Sequence, residues 1–284
     1  MTNIHIITDT DSSLPSALAA RYPITQVPIT IQFGEESFET GVTIDDRVLF
    51  EKIDRLNKLP TTAAPSPESF KKVYEQAFAS GADSIICVTV GSKISRTYDS
   101  ALTACENFPG RQITVIDSDF LSLGQGFMAI AAAEAAAAGA THEEAVRAAQ
   151  DLFPHLHLFG SLTTLKYLAM GGRIGKIPAN MANLLNIRPI MTIIDGKLDL
   201  LEKVRTHRVA MNRLVELLET ASDGKRIIKA GIVHVNNLPD AALLEARLRE
   251  KLPMPEEILV AEFTPGLSVH SGSGLVAGVL VTEE

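Results

Sequence analysis

No tryptophan occurs in the 284 residues, aromatic side chains of all kinds make up 5%, and there are two cysteines, Cys87 and Cys105. So few rings leave no basis for the stacking platforms on which proteins hold unpaired bases. Two cysteines are too few for a disulfide framework, and their spacing matches no metal clip. Positive charge is also short: 26 Lys and Arg against 34 Asp and Glu give a formal net charge of −8. That sign opposes attraction to a phosphate backbone, and nucleic acid is not expected as a partner. Long hydrophobic runs are missing too. The longest, Phe127 to Ala140, is mostly alanine, is broken by Glu134, and is too short to span a bilayer. Residues 2–9 have neither the basic start nor the apolar run of a signal peptide. The expectation is a cytoplasmic protein with no integral membrane segment.

What is present supports a core. Hydrophobic residues make up 46% of the chain and charged residues 21%, enough for two domains of ordinary size. The run Ile4-His5-Ile6-Ile7 leads into Thr8-Asp9-Thr10-Asp11-Ser12-Ser13, and Leu14-Pro15 then opens a helix, a strand–loop–helix signal. Ser84 to Val90 and Gln112 to Ile116 are further apolar strands, each followed by a polar loop and a helix. Apolar strands alternating with helices indicate a parallel sheet covered on both faces, with polar loops gathered at the carboxyl ends of the strands. Beyond Pro154 the texture changes. A helix is expected over Leu162 to Met170, with strands Arg188 to Ile194 and Lys197 to Val204 joined by the hairpin turn Asp195-Gly196. A helix Val209 to Thr220, strand Ile227 to His234, helix Ala241 to Leu252, and strands Glu257 to Phe263 and Leu275 to Val281 follow. The fold class is α/β in two domains. Residues 1–154 form a doubly wound, mainly parallel domain, and residues 155–284 an α/β domain with a largely antiparallel sheet.

Several constellations could carry chemistry. Asp9 and Asp11 follow a buried strand, where aspartyl phosphatases keep the carboxylates that work with magnesium. The alternative is that Asp9 and Ser12 cap the following turn. Gly124-Gln125-Gly126-Phe127-Met128-Ala129 matches a loosened dinucleotide fingerprint but lies too far beyond its strand, and close packing of a small-residue helix accounts for it better. Gly175-Lys176 is no P-loop, because Met170 stands for the first glycine and Ile177 for the hydroxyl residue. His155 and His157 alternate as a possible metal pair without a third ligand nearby. Gly266-Leu267-Ser268-Val269-His270 ends wrongly for a nucleophile elbow. Three hydroxyl-rich segments remain: Thr61 to Pro67, Gly91 to Tyr98, and His270 to Gly274. Hydroxyls and free N–H groups at helix starts make anion sites, although each segment alone is ordinary capping.

Together these segments resemble the DegV family. Thr8 to Leu14 resembles the family's T-D-S-x-x-D-L, and Thr62-Ala63-Ala64-Pro65-Ser66 its T-S-x-P-S, with Ala63 for serine. Gly91 to Tyr98 resembles S-S-x-L-S-G-T-Y, with Gly91 and Arg96 as departures. Leu168 to Ile174 resembles L-x-x-G-G-R-I, Arg188-Pro189-Ile190 the K-P-I, Lys203 to Thr206 the K-x-R-T, and His270 to Gly274 the H-x-G-P-G with Ser273 for proline. The resemblance runs over essentially the whole chain, in family order. It implies a long-chain fatty acid held between the two domains, its carboxylate at the hydroxyl loops and its tail in an apolar tunnel. Thr62, Ser95 and His270 fall on the positions that bind the carboxylate. Arg205 and Arg173 fall on positions associated with phosphoryl transfer or partner docking, although Arg205 could instead pair with Glu202. Ser92, Thr97 and Ser271 are possible loop contacts. The resemblance also implies a carrier rather than an enzyme. It would present the acid to a separate ATP-dependent, dihydroxyacetone-kinase-like fatty acid kinase subunit, which forms acyl phosphate for phospholipid synthesis, with no cofactor or metal on this chain. Phe33, Phe38, Phe263, Met128 and Leu184 are apolar candidates for the tunnel. The alternatives carried beside it are the magnesium-dependent aspartyl phosphatase and a carrier of another amphipathic acid.

Overall fold

A computed structural model of the chain describes residues 3–173 and 187–283. Ile174, Gly175, Lys176, Ile177 and Leu184 of the motifs above lie outside the described residues. β1 (Ile4–Asp9) ends in a 3-10 turn over Thr10–Ser12, and Pro15 precedes α1 (Ser16–Arg21). Then come β2 (Ile24–Val27), β3 (Thr30–Phe33), β4 (Glu36–Glu39), α2 (Asp46–Leu56), β5 (Thr61–Ala63), α3 (Pro67–Ala79) and β6 (Ser84–Thr89). α4 (Thr97–Cys105), β7 (Gln112–Asp117), α5 (Ser122–Ala137) and α6 (His142–Gln150) follow. After a 3-10 turn at Phe153–His155 the chain forms β8 (Leu156–Ser161), α7 (Lys166–Gly171), β9 (Arg188–Ile194), β10 (Lys197–Val204) and α8 (His207–Ser222). It ends with β11 (Ile227–His234), α9 (Leu238–Lys251), β12 (Leu259–Glu262), α10 (Pro265–Ser271) and β13 (Val276–Thr282).

The first sheet has the order β2-β1-β6-β7 and is parallel throughout. Its central strands β1 and β6 are buried on both faces because both faces are covered. Ile7, Ile85 and Cys87 pack with Phe70 and Tyr74 of α3 and Ala101 of α4, while Ile6, Ile86 and Val88 join α5 on the other side. The second sheet has the order β10-β9-β8-β13-β11-β12, antiparallel except for the β11–β12 pair. One face packs on α8 and α9 through Ile232, Leu280, Leu214 and Leu244. The other contributes Leu158, Val233 and Val279 to the same cluster as α5.

α5 therefore lies between two sheets, which explains why its first turns, from Ser122 to Ile130, are buried all round. The glycines of the dinucleotide-like motif serve that packing. A Cβ at Gly124 would strike the Phe120 ring, and one at Gly126 would strike Leu14 and the Ser12 carbonyl. Among the described residues no helix is long and apolar enough to cross a membrane.

Some elements differ from the sequence-based expectation. A third sheet, β4-β3-β5, is antiparallel and packs with α2 and Val269 of α10 in a separate core. The helix expected over Leu162 to Met170 is confined to α7, because Leu162 donates its N–H to Pro189 O at 3.0 Å beyond the end of β8. His155 lies in a 3-10 turn and only His157 is on a strand, so the two do not form a strand-face pair. His270 belongs to α10, not to a loop.

Candidate functional site

The carboxyl end of β1 is the first component. Asp9 is fully buried and accepts three N–H bonds: from Asp11 N at 2.9 Å, Val90 N at 2.8 Å and Gln125 Nε2 at 3.0 Å. It caps the 3-10 turn and ties β1 to β6 and α5. Ser12 Oγ, the other capping candidate, is buried with no hydrogen-bond partner among the described residues. Asp11, one turn on, is buried against α10, where Thr264 Oγ1 donates to its Oδ1 at 3.4 Å.

Thr62 comes from β5, held opposite Ile31 of β3. Ser95 comes from the loop after β6, where both Ile94 N and Ser95 N donate to Gly91 O. His270 comes from the last turn of α10, and its Nε2 lies 3.1 Å from Thr62 Oγ1. These three residues, with Asp11, Arg96 and Arg173, line one polar pocket. Burial, and secondarily the Arg173 charge, pulls the His270 imidazole down to about 4. At neutral pH its ring is therefore uncharged, with one donor and one acceptor nitrogen.

An apolar cavity adjoins the polar pocket, and Ile94, Arg173, Leu267 and His270 border both. Leu158, Gly160, Met191, Leu198 and Ala277 supply the face of the second sheet, Leu121 and Ile94 the side of the first half, and Leu168, Phe263 and Leu275 the rest of the wall. A pocket that offers hydroxyl and uncharged imidazole donors, with Arg173 on its wall, beside a hydrocarbon-lined cavity can hold an amphipathic acid. The head group stays hydrogen-bonded while the tail leaves water.

Thr62, Ser95, His270 and Arg173 thus meet in the pocket. Thr97 is buried behind it and holds Ser95 through an Oγ–Oγ contact of 2.8 Å. Ser271 borders the apolar cavity, but its hydroxyl donates to Ser268 O at 3.3 Å. Ser92 donates its backbone N–H to Asp117 Oδ1 at 2.9 Å and is not on the wall of either pocket. Arg205 is exposed just past β10 and is not on either wall. Glu202 pairs with Arg213 Nε at 2.8 Å rather than with Arg205. Arg96, the departure from glycine, has ordinary backbone angles (φ −82°, ψ 10°) and turns outward to Asp99 at 3.1 Å. Its bulk is therefore compatible with the loop. Of the tunnel candidates, Phe263 lines the cavity. Phe33 and Phe38 instead pack in the small sheet, with Lys52 Nζ 5.4 and 4.9 Å from their ring centroids. Met128 is core on α5. Sequence reading missed Asp11 as a wall of this pocket, and the alternating Leu158-Gly160-Leu162 face, whose period of two was its available signal.

A family model described as "Uncharacterised protein, DegV family" matches residues 3–283. A DegV domain-containing protein of Streptomyces coelicolor is 34% identical over 281 residues, covering 99% of this chain and 98% of its own. Among solved structures, one of fatty acid binding by a DegV family protein from Thermus thermophilus is 28% identical. It has a TM-score of 0.93 and covers 99% of this chain and 100% of that one. DegV from Bacillus subtilis, a fatty acid binding protein, is 26% identical, with a TM-score of 0.88 and coverage of 100% of both chains.

Proposed function

The chain belongs to the DegV family, and from that premise we propose that it is a fatty-acid-binding protein that carries a long-chain acid to a separate kinase subunit. The observation that carries the reading is the adjacency of the polar pocket, with Thr62, Ser95 and His270 on its wall, and the apolar cavity that shares Ile94, Arg173, Leu267 and His270 with it. The two relatives of solved structure described above, both fatty acid binders, support the same reading. The ligand then lies between two domains, residues 1–154 and 155–284, with its tail against the second sheet.

Burying a sixteen-carbon tail contributes up to ~10 kcal/mol at ~0.8 kcal/mol per methylene, before the cost of ordering the chain. A buried carboxylate would cancel much of that unless hydrogen-bonded. Thr62 and Ser95 donate O–H, and His270 donates through its protonated nitrogen. Neutral donors leave an oxygen of the head group free to react. In the transfer step that oxygen attacks the γ-phosphorus of ATP, the bond from phosphorus to the bridging oxygen breaks, and ADP leaves. The nucleotide and its metal belong to the dihydroxyacetone-kinase-like partner. His270 would stabilise the added charge as acyl phosphate forms, and Arg205, exposed beyond β10, is available to the docked kinase.

Native mass spectrometry of the purified protein, with its organic extract analysed, is expected to find one long-chain fatty acid per chain. Thr62→Val combined with Ser95→Ala is expected to weaken fatty acid binding by at least about tenfold, the worth of one or two hydrogen bonds. Unchanged affinity would remove these residues from the head-group site, and a different amphipathic acid in the extract would change the ligand. Arg205→Ala is expected to lower kinase-dependent turnover while leaving fatty acid affinity intact.

A further inference from the structure

The pocket assigned to an anionic head group has a carboxylate in its own wall. Asp11 is 5% exposed and shares the polar pocket with Thr62, Ser95, His270 and Arg173. It stands where the family pattern T-D-S-x-x-D-L leaves the residue open. Two carboxylates in one turn divide their roles by their partners. Asp9 accepts three N–H bonds and is the one fitted to hold negative charge. Among the described residues Asp11 accepts only a long bond from the Thr264 hydroxyl, and a Cβ at Gly266 would run into its Oδ1, so α10 presses closely on that oxygen.

Among the described residues no cation forms an ion pair with Asp11, and the Arg173 charge offsets its burial only in part. α5 brings the neutral Gln125 to Asp9, behind the turn. α10 brings the His270 ring, uncharged at neutral pH. Arg96 is directed to Asp99, and Arg173 is exposed with its Nη1 on the Gly171 carbonyl at 2.6 Å. Burial first, and then the charge on Asp9, push the Asp11 carboxyl well above the usual carboxylate range, against smaller opposing effects of the Thr264 hydrogen bond and the Arg173 charge.

On the reading that this pocket takes a fatty acid head group, we propose that Asp11 is a further head-group residue, binding the ligand carboxylate as a neutral carboxylic acid. Its O–H donates to a carboxylate oxygen of the ligand, completing the set begun by Thr62, Ser95 and His270. No bond is broken and the proton stays between the two oxygens. Loss of that proton puts two negative charges in one buried pocket, so affinity falls as pH rises. Asp11 is thereby a determinant of binding that a carrier with a hydroxyl residue at this position would lack.

The test is the affinity of a fluorescent long-chain fatty acid, kept below its aggregation concentration, between about pH 6 and pH 9, a range over which the free ligand carboxyl stays ionised. Wild-type affinity is expected to fall by about tenfold or more across that range. Asp11→Asn keeps a donor without a charge, and its affinity is expected to stay flat. Asp11→Ala is expected to be flat and weaker than Asp11→Asn. Parallel profiles for wild type and Asp11→Asn would overturn the proposal, as would tighter binding by Asp11→Asn at every pH, the mark of an ionised Asp11. Calorimetry of wild type at about pH 8, in two buffers of different ionisation enthalpy, needs no variant. Proton uptake on binding is expected, and its absence overturns the proposal. Failure of wild type to bind at any pH would overturn the fatty acid reading and Asp11 with it. Binding with an unaltered pH profile overturns the role of Asp11 alone.

Discussion

Asp46 shows how one buried carboxyl ties together the elements around the pocket. It sits at the start of α2, 2% exposed, and its Oδ2 accepts from Ser268 Oγ of α10 at 2.7 Å. Its Oδ1 is buried without a partner among the described residues. Burial, with smaller contributions from the charges of Glu262 and Asp45, raises its carboxyl to about 7. Folding therefore favours the protonated form. The stabilising contribution is complete below the ordinary value of 3.8 and is lost as pH rises to about 7. Above that the ionised group costs on the order of 2–4 kcal/mol. Asp46→Asn keeps an acceptor for Ser268 without the charge. It is expected to raise Tm at pH 8, with the gain shrinking towards zero on acidification to about pH 4. Thermal melts of both proteins at each pH check this, and a gain independent of pH would assign the effect to another cause. Nothing in the local sequence Thr43-Ile44-Asp45-Asp46 marks this role, since Asp45 is an N-cap and Asp46 reads as one more acid in a first turn.

At the scale of elements, α10 holds much of the site although it has only seven residues. Gly266 and Leu267 wall the polar pocket, Ser268 reaches α2, Val269 enters the small core, and His270 meets Thr62. α7 crosses it so closely that a Cβ at Gly171 would overlap the His270 ring. Alanine is worth about 1 kcal/mol more than glycine inside a helix, so Gly171→Ala separates site from scaffold. It is expected to lower fatty acid affinity by about tenfold or more while circular dichroism stays unchanged, because the imidazole must leave its place. Retained affinity would mean that the ring position is not needed. Two turns are too short to show a period, which is why α10 reads as a loop in sequence. The hairpin β9–β10 was legible to the residue, because Asp195-Gly196, both at positive φ (50° and 71°), separates the apolar β9 from β10, where Leu and Val are interspersed with charged residues.

For the whole molecule, the cavity exists because the second sheet presents small residues where the first half approaches it. Ala277 of β13 is 3% exposed and stands beside Gly160 of β8 on the cavity wall. Ala277→Phe would place a ring in that space. It is expected to shift preference towards shorter acids, read as the ratio of affinities in a chain-length series, a ratio that any uniform overpacking cost leaves unchanged. An unaltered ratio would place the tail elsewhere. The sequence by itself determined the parallel first sheet, the antiparallel second one and the family, because strand periodicity, turn residues and ordered motifs depend on neighbours along the chain. Only the tertiary structure decided which hydroxyl, imidazole and carboxyl groups share a pocket, and which leucines line a cavity rather than a core. Thr62 and His270 are 208 residues apart. Their meeting follows from how α10 packs on the small sheet, and that is set by contacts between distant segments rather than by any local pattern.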